Sequence, residues 1–410
     1  MADKKLQIPV GERSNCVPER FEIRVPDERI EDLKDRLRRT RFAPDVGPGD
    51  WTYGTPTAVL KDWVDAWLQF DWRKEEARMN AFENYRATVD GSPIHFIHRK
   101  GKGPNPMPIV LCHGWPWTFW DWHETIDRLA DPAKYGGDAA DAFDVVVPSL
   151  PGYTFSPLAR TGLGLTQIAD LIFKLMTESL GYERFAAAGG DQGNFISGQL
   201  GHKYADRVIG IHLLGAIPML VFSRSENPLA LPKDWGFVRS EHNPKHPVLT
   251  APVRQRRHLS AHLIVNALEP QTISAAMHDS PVGLLSWMLD RRRWWSDNNG
   301  DVLQSYSREF LLTTFSLYWY TDTFATSVRT YYESAWSPWR ASHARSPVVE
   351  APTGITFLDR DENTSHSRFW CEDFYNLKRA SFQTRGGHFG PSEVPQIVVS
   401  EIQETFRALR

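Results

Sequence analysis

The chain has 410 residues, a formal net charge of −3 and 24% charged residues, so its composition points to no nucleic-acid partner and no anionic membrane surface. Its hydrophobic content of 41% is typical of a folded globular protein, and no apolar run reaches the roughly 18 residues that a membrane-spanning helix needs. Three cysteines and a charged N-terminal segment indicate a reducing, cytoplasmic location without a disulfide framework, a secretory leader or a membrane anchor.

The first 90 residues are predicted to form a helical extension. Apolar residues recur there at helical spacing with charged residues between them. The apolar positions are Ile30, Leu33, Leu37, Leu60, Trp63, Trp67 and Phe70. A first β-strand is expected only at 94–97, where the pattern becomes continuously apolar.

Residues 91–220 are expected to form the first part of a core in which strands and helices alternate. Such alternation makes a mostly parallel sheet with helices on both faces, which is an α/β fold. The predicted strands are 107–112, 143–147, 185–188 and 208–214, and the predicted helices are 119–129 and 168–180.

Residues 221–336 interrupt this alternation, because they are helical in pattern and rich in Trp, Tyr and Arg. We interpret them as a helical lid inserted into the core. The basic run 291–293 within the lid is expected to be a solvated helix face. The second part of the core, 337–410, is expected to contain strands 355–358 and 381–383 and a closing helix 396–409.

A tight glycine-rich turn follows the predicted strand 185–188. Strand, turn and helix in this order hold one side chain exposed on a strained bend, and Gly189 and Gly193 let neighbouring backbones approach closely. The residue at the bend is Asp191. A carboxylate attacks carbonyl carbons poorly, but it can displace at a saturated carbon and form an ester that water later cleaves. The turn therefore predicts chemistry on an epoxide or a haloalkane.

The partners of such a nucleophile are expected further along the chain. His388 follows a glycine pair after the last predicted strand, where a general base belongs. The acid that orients it should follow the preceding strand, which offers Asp359, Asp361 and Glu362. Two backbone N–H groups must stabilise the ester oxygen. The residue after the nucleophile, Gln192, should supply one of them, and Trp115 in the segment 113–116 is our choice for the other.

These motifs together resemble the epoxide hydrolases of the α/β-hydrolase superfamily, in the branch that carries an extra N-terminal domain and includes the microsomal members. The resemblance implies an α/β-hydrolase fold with an inserted lid, opening of an epoxide to a vicinal diol, a role in detoxification, and no cofactor or metal. It also implies a small-molecule epoxide as substrate, and the aromatic lid suggests that this epoxide is bulky, apolar or aromatic. The resemblance is compatible with a homodimer. The matching segments are 37–42, 53–56, 70–74, 94–98, 113–116, 148–153, 189–193, 279–284, 352–354 and 385–389.

The resemblance also assigns roles. Asp191 would attack the epoxide, water activated by His388 would hydrolyse the resulting ester, and Asp361 would orient His388. Asp359 and Glu362 stay open as alternatives, because the family usually has Phe-Pro where this chain has Leu-Asp at 358–359. Tyr331 matches one of two lid tyrosines that polarise the epoxide oxygen.

The chain departs from the family at two positions. His262 stands where the second lid tyrosine is expected, and an imidazole can donate a hydrogen bond or, when protonated, a proton. Gln192 stands where dehalogenases place a halide-binding tryptophan, which argues against a dehalogenase, as does Tyr331. Two alternatives remain: a diverged member with altered ring-opening or ester-hydrolysing activity, and a catalytically silent ligand-binding homologue.

Overall fold

A mostly parallel β-sheet lies at the centre of the molecule. The computed structural model describes residues 16–215, 253–337, 339–361 and 374–410, and the strands of this part form one nine-stranded sheet. The strands are β1 (Glu19–Arg20), β2 (Asn84–Val89), β3 (Ser92–Arg99), β4 (Met107–Cys112), β5 (Phe143–Pro148), β6 (Phe185–Gly190), β7 (Val208–Leu214), β8 (Val349–Leu358) and β9 (Tyr375–Gln383). Their order is β1-β2-β3-β5-β4-β6-β7-β8-β9.

Pairing in the sheet changes from antiparallel to parallel at β5. β1, β2, β3 and β5 pair antiparallel, whereas the six strands from β5 through β4, β6, β7 and β8 to β9 pair parallel. The parallel strands β4 to β8 are buried along most of their length, which explains their apolar runs, whereas the edge strand β9 is mostly half-buried. The predicted α/β fold with a mostly parallel sheet is therefore confirmed.

The segment 94–97 is a strand as expected, but the expectation that it is the first strand is wrong. That segment belongs to β3, which β1 and β2 precede in the chain. β2 is an antiparallel strand near the edge of the sheet, and buried and half-buried residues mix along it. Its sequence therefore lacks the continuous apolar run that marks a fully buried strand.

Helices cover both faces of the sheet and form the region inserted between β7 and β8. α5 packs with α6 on one face, and α4 packs with α13 on the other. The core helices are α4 (His123–Ala130), α5 (Leu165–Lys174), α6 (Gln192–Lys203), α12 (Gly390–Glu393) and α13 (Pro395–Arg407). The inserted helices are α7 (Val253–Leu268), α8 (Pro270–Asp279), α9 (Pro281–Trp295), α10 (Arg308–Tyr320) and α11 (Phe324–Trp336). The first part of the predicted lid, 221–252, lies outside the described residues.

The N-terminal helices pack against the inserted helices. They are α1 (Asp27–Arg38), α2 (Thr57–Leu68) and α3 (Trp72–Asn80). α1 and α2 contact α9, and α3 contacts α10. The buried Trp67 indole donates a hydrogen bond to the Ser316 hydroxyl at 2.9 Å, and Trp72 meets Tyr320 edge-on at 4.9 Å. An aromatic interface thus ties the extension to the helices above the sheet. Within the described ranges, no helix combines the length and the apolar character that a bilayer crossing demands.

Candidate active site

The turn between β6 and α6 holds Asp191 in a strained conformation. Asp191 has φ 53° and ψ −121°, a region that residues other than glycine rarely adopt. A Cβ at Gly189 would lie 2.3 Å from the Gly193 carbonyl carbon, and one at Gly193 would lie 2.1 Å from the Cys112 carbonyl oxygen. Both glycines are therefore required for the backbones to pass, as the sequence predicted.

The loop after β4 delivers a backbone donor to the Asp191 carboxylate. The Trp115 N–H donates a hydrogen bond to Asp191 Oδ1 at 2.9 Å. This approach requires Gly114, because a Cβ there would lie 2.3 Å from the same oxygen. Gln192 is the first residue of α6, so the helix itself offers its N–H no acceptor. The Trp115 N–H thus lies where the sequence analysis expects it, and a second contact from the Gln192 N–H stays a prediction.

His388 lies between two carboxylates. Its Nε2 is 3.2 Å from Asp191 Oδ2, and its Nδ1 is 3.4 Å from Asp361 Oδ1. Burial alone would lower the pKa of His388, but the charges of Asp361 and Asp191 outweigh burial and raise it to about 10. With Asp191 ionised, His388 is therefore a cation at neutral pH.

Of the two other acid candidates, only Asp359 lies in the described part of the chain, and no ion pair joins it to His388 there. The Asp359 side chain is 61% exposed and lies 3.8 Å from the Arg360 guanidinium. Glu362 lies outside the described residues. The geometry therefore favours Asp361 over Asp359 as the partner of His388.

Glu393 fixes the loop that carries His388, a feature that the sequence analysis missed. Its carboxylate accepts hydrogen bonds from the N–H groups of Gly387 (3.1 Å), Phe389 (2.8 Å) and Asp297 (2.7 Å). Burial raises the pKa of Glu393 to about 7 despite these three donors. The first two donors flank His388, and the third joins its loop to the segment after α9.

Two polar side chains of the inserted helices face this group. Tyr331 on α11 and His262 on α7 are buried, and their rings meet edge-on at 5.7 Å. The His262 ring also stacks on Trp115, with centroids 5.5 Å apart and planes 8° apart. Burial first, and then the positive charges of Arg291 and His388, hold the pKa of His262 well below its usual value. His262 is therefore neutral and can donate a hydrogen bond, but it holds no surplus proton.

The Gln192 side chain contributes a further polar group. The Tyr153 hydroxyl donates to Gln192 Oε1 at 2.8 Å. Within the described part of the chain, Gln192 Nε2 and the Tyr331 hydroxyl have no hydrogen-bond partner. Tyr153 is a second residue to which the sequence analysis assigned no role, although it ends the matching segment 148–153.

The expectation of a solvated face at 291–293 is wrong for Arg291 and Arg292, which are both buried. The Arg292 guanidinium pairs with Asp121 at 2.8 Å and donates to the Pro116 carbonyl oxygen at 3.0 Å. It also lies 3.9 Å from the centre of the Phe389 ring. Because Pro116 follows Trp115 and Phe389 follows His388, Arg292 contacts both the loop that carries Trp115 and the loop that carries His388.

Comparison with known proteins agrees with this architecture. The family model described as "alpha/beta hydrolase fold" matches residues 107–348, and the one described as "Epoxide hydrolase N terminus" matches residues 18–122. The solved structure of Aspergillus niger epoxide hydrolase is 25% identical, has a TM-score of 0.78, and is aligned over 97% of this chain and 98% of its own. The fold and the strained turn that holds Asp191 together define an α/β hydrolase.

Two relatives indicate to which family of α/β hydrolases the chain belongs. A protein of Stigmatella aurantiaca, provisionally named an epoxide hydrolase, is 35% identical across 95% of this chain and 85% of its own length. Epoxide hydrolase 1 of Sus scrofa is 28% identical across 94% of this chain and 87% of its own length. The chain belongs to the epoxide hydrolase family of enzymes.

Proposed function

We propose that the protein opens an epoxide to a vicinal diol through a covalent ester on Asp191. One observation carries the proposal: the Asp191 carboxylate is held by the Trp115 N–H on one oxygen and faces His388 with the other. A carboxylate nucleophile beside a buried histidine–aspartate pair is the arrangement that two-step ester chemistry requires.

In the first step, Asp191 Oδ2 attacks an epoxide carbon and the bond between that carbon and the ring oxygen breaks. Trp115 already occupies Oδ1, so Oδ2 is the oxygen left to react. The departing oxygen takes a proton from the Tyr331 hydroxyl, while the neutral His262 ring donates a hydrogen bond to it. The free polar atoms of both side chains support this role.

In the second step, His388 takes a proton from water, and the hydroxide attacks the carboxyl carbon of Asp191. The Trp115 N–H and the Gln192 N–H stabilise the tetrahedral oxyanion by donating hydrogen bonds to it. Its collapse expels the second diol oxygen as an alkoxide, which takes the proton of the new carboxyl group, so the diol leaves and the carboxylate is restored. Esterification removes the negative charge of Asp191, which is one of the two charges that raise the pKa of His388. His388 can therefore pass its proton to the Tyr331 phenolate once the ester has formed, which restores the phenol and leaves His388 neutral and able to act as a base.

The remaining assignments follow from the same proposal. We assign residues 1–90 to the N-terminal extension, 91–220 and 337–410 to the core, and 221–336 to a lid over the site. Aromatic rings close to the reacting groups, such as Trp117 and Trp295 beside His388, suit an apolar or aromatic epoxide. A homodimer and a cytoplasmic location stay predictions.

Trapping the ester tests the proposal. The H388A variant, mixed with styrene oxide, is expected to accumulate an adduct of the mass of the epoxide, located on Asp191 by peptide mass spectrometry. Its matched control, D191N with an intact histidine, should form no adduct. An adduct elsewhere, or no adduct with any of a panel of small, aryl and polycyclic epoxides, would contradict the proposal. An acyl adduct with an ester substrate would point instead to a carbonyl hydrolase.

The lid donors give a second expected result. The H262Y variant should open styrene oxide about tenfold faster than wild type, because a phenol reaches further than an imidazole and supplies a proton that the neutral His262 lacks. Single-turnover alkylation rates measure this step separately from ester hydrolysis. Y331F, which removes the other donor without changing the ring, should slow the same step. A rate in H262Y equal to or below that of wild type would count against the assignment of His262.

A further inference from the structure

Asn266 on α7 is a buried polar side chain that takes part in none of the interactions described above. It is 0% exposed, and neither its amide oxygen nor its amide nitrogen has a hydrogen-bond partner among the described residues. Buried side-chain polar atoms are nearly always paired in folded proteins, so each exception needs a reason. An apolar residue would fill this position without leaving two polar atoms unpaired.

Its place on α7 connects Asn266 to the reacting groups. Residues four apart share one helix face, and they are about 6 Å apart along the axis. His262 is four residues earlier, and its ring packs against Trp115 and Tyr331. The Trp336 indole donates to the Ala267 carbonyl oxygen at 3.3 Å, so α11 still accompanies α7 at the level of Asn266. Asn266 therefore continues the buried face that begins at His262.

Two other buried polar atoms, one on this face and one on the neighbouring α11, also lack partners among the described residues. His262 Nδ1 and the Tyr331 hydroxyl are buried and have no hydrogen bond within the part of the chain that the structure describes. In the proposed reaction, Tyr331 and His262 bind the epoxide oxygen. The amide nitrogen and the amide oxygen of Asn266 are therefore left to bind a different group of the substrate.

The electrostatics of this face favour a neutral group. A carboxamide carries no charge, and both cations that act on His262 are already paired, Arg291 with Asp290 and His388 with Asp191 and Asp361. A hydroxyl or a carbonyl matches an uncharged amide, whereas a carboxylate or an ammonium would be buried without a free counter-charge.

We propose that Asn266 forms a polar subsite, one helical turn along α7 from His262, that binds a neutral hydroxyl or carbonyl of the substrate. This inference rests on the proposed function, and it narrows the substrate class to epoxides that carry a hydrogen-bonding group on an apolar frame. Asn266 acts on specificity and takes no part in proton transfer.

A matched pair of substrates tests the subsite. Two terminal epoxides of equal length, one ending in a hydroxyl and the other in a methyl group, are compared by kcat/KM in wild type and in N266L. The ratio of hydroxyl to methyl substrate should fall about tenfold in N266L, because one hydrogen bond to a neutral group is lost and the methyl end gains an apolar contact. N266A, which adds no bulk, should change the ratio in the same direction, and I264L on the exposed side of α7 should leave it unchanged.

The outcomes separate this inference from the proposed function. An unchanged ratio in N266L and N266A, with both substrates still turned over, would overturn the subsite and leave the epoxide hydrolase mechanism standing; ordered water would then account for the unpaired amide. Absence of an Asp191 adduct with either substrate in H388A would overturn the mechanism itself, and the subsite with it.

Discussion

Replacing Asp361 with asparagine is expected to slow hydrolysis of the Asp191 ester by about 10³-fold, with a much smaller effect on its formation. Asp361 lies 3.4 Å from His388 Nδ1 and is buried with it. A carboxylate there can accept a hydrogen bond from Nδ1–H, and this tautomer leaves Nε2 free to accept a proton from water. An amide can donate instead and so stabilise the wrong tautomer. Rapid-quench single turnovers, followed by intact-protein mass, measure the two steps separately.

The matched control for this prediction is D359N, two residues away. Asp359 is 61% exposed and close to Arg360, so its loss should change either step by less than about twofold. Slow hydrolysis in D359N together with normal hydrolysis in D361N would reverse the acid assignment. Normal hydrolysis in both variants would leave Glu362 as the candidate.

The same variant has a pH signature. The pKa of His388 is about 10 in the folded protein and about 6.5 in an unfolded chain. The ion pairs of His388 therefore stabilise the fold fully below about pH 6.5, and this stabilisation is lost as the pH rises towards about 10. Urea unfolding at about pH 6 should show D361N to be less stable than wild type, and the difference should shrink by about pH 10. A difference that does not vary with pH would contradict the charge-based explanation.

The parallel core was predictable from sequence where its strands are buried on both faces, as β4 to β8 are along most of their length. β4 and β7 match the predicted 107–112 and 208–214 at both ends, since each is a short, continuous apolar run between polar turns. β1 and β2 were missed for the opposite reason. β1 has two exposed residues, and β2 mixes buried with half-buried ones, so neither carries a strong local pattern.

The turn around Asp191 was predictable because its demands are local. Gly189, Gly193 and Gly114 each avoid a backbone or carboxylate collision, so they had to be glycine wherever this geometry occurs. Such a requirement is visible in a few adjacent residues. The residues that surround the turn in space carry no comparable mark, and only the resemblance to a family assigned Tyr331 and Asp361.

The supporting residues were not predictable, because long-range contacts create their roles. Arg292 stands in a basic run that is typical of a solvated face, and its burial makes sense only beside Asp121, which is 171 residues away in sequence. Glu393 looks like an ordinary acidic residue at the end of a short helix, yet it binds three N–H groups from two loops. A buried charge with its partner on a distant element leaves no periodic signal along the chain.

Replacing Gly114 with alanine is expected to lower the rate of ester formation by at least about 10²-fold, without unfolding the protein. The added Cβ would lie 2.3 Å from Asp191 Oδ1 and 2.4 Å from Asp191 Cβ, closer than atoms can approach. Asp191 is already fixed on a strained turn, so the loop of Trp115 must retreat and its 2.9 Å hydrogen bond must lengthen. The Asp191 carboxylate is then poorly oriented for attack, and the oxyanion is less well stabilised.

The control for this substitution is G137A on the exposed surface, where the nearest heavy atom to the new Cβ would be 3.2 Å away. Thermal unfolding should place both variants close to wild type, while the rate of ester formation falls in G114A alone. The defect in G114A should appear in the ester-forming step even when His388 is also replaced, because the collision is with the nucleophile and not with the base. A G114A variant that alkylates within about threefold of wild type would show that the Trp115 N–H can leave Asp191 at little cost, and the oxyanion assignment would then be wrong.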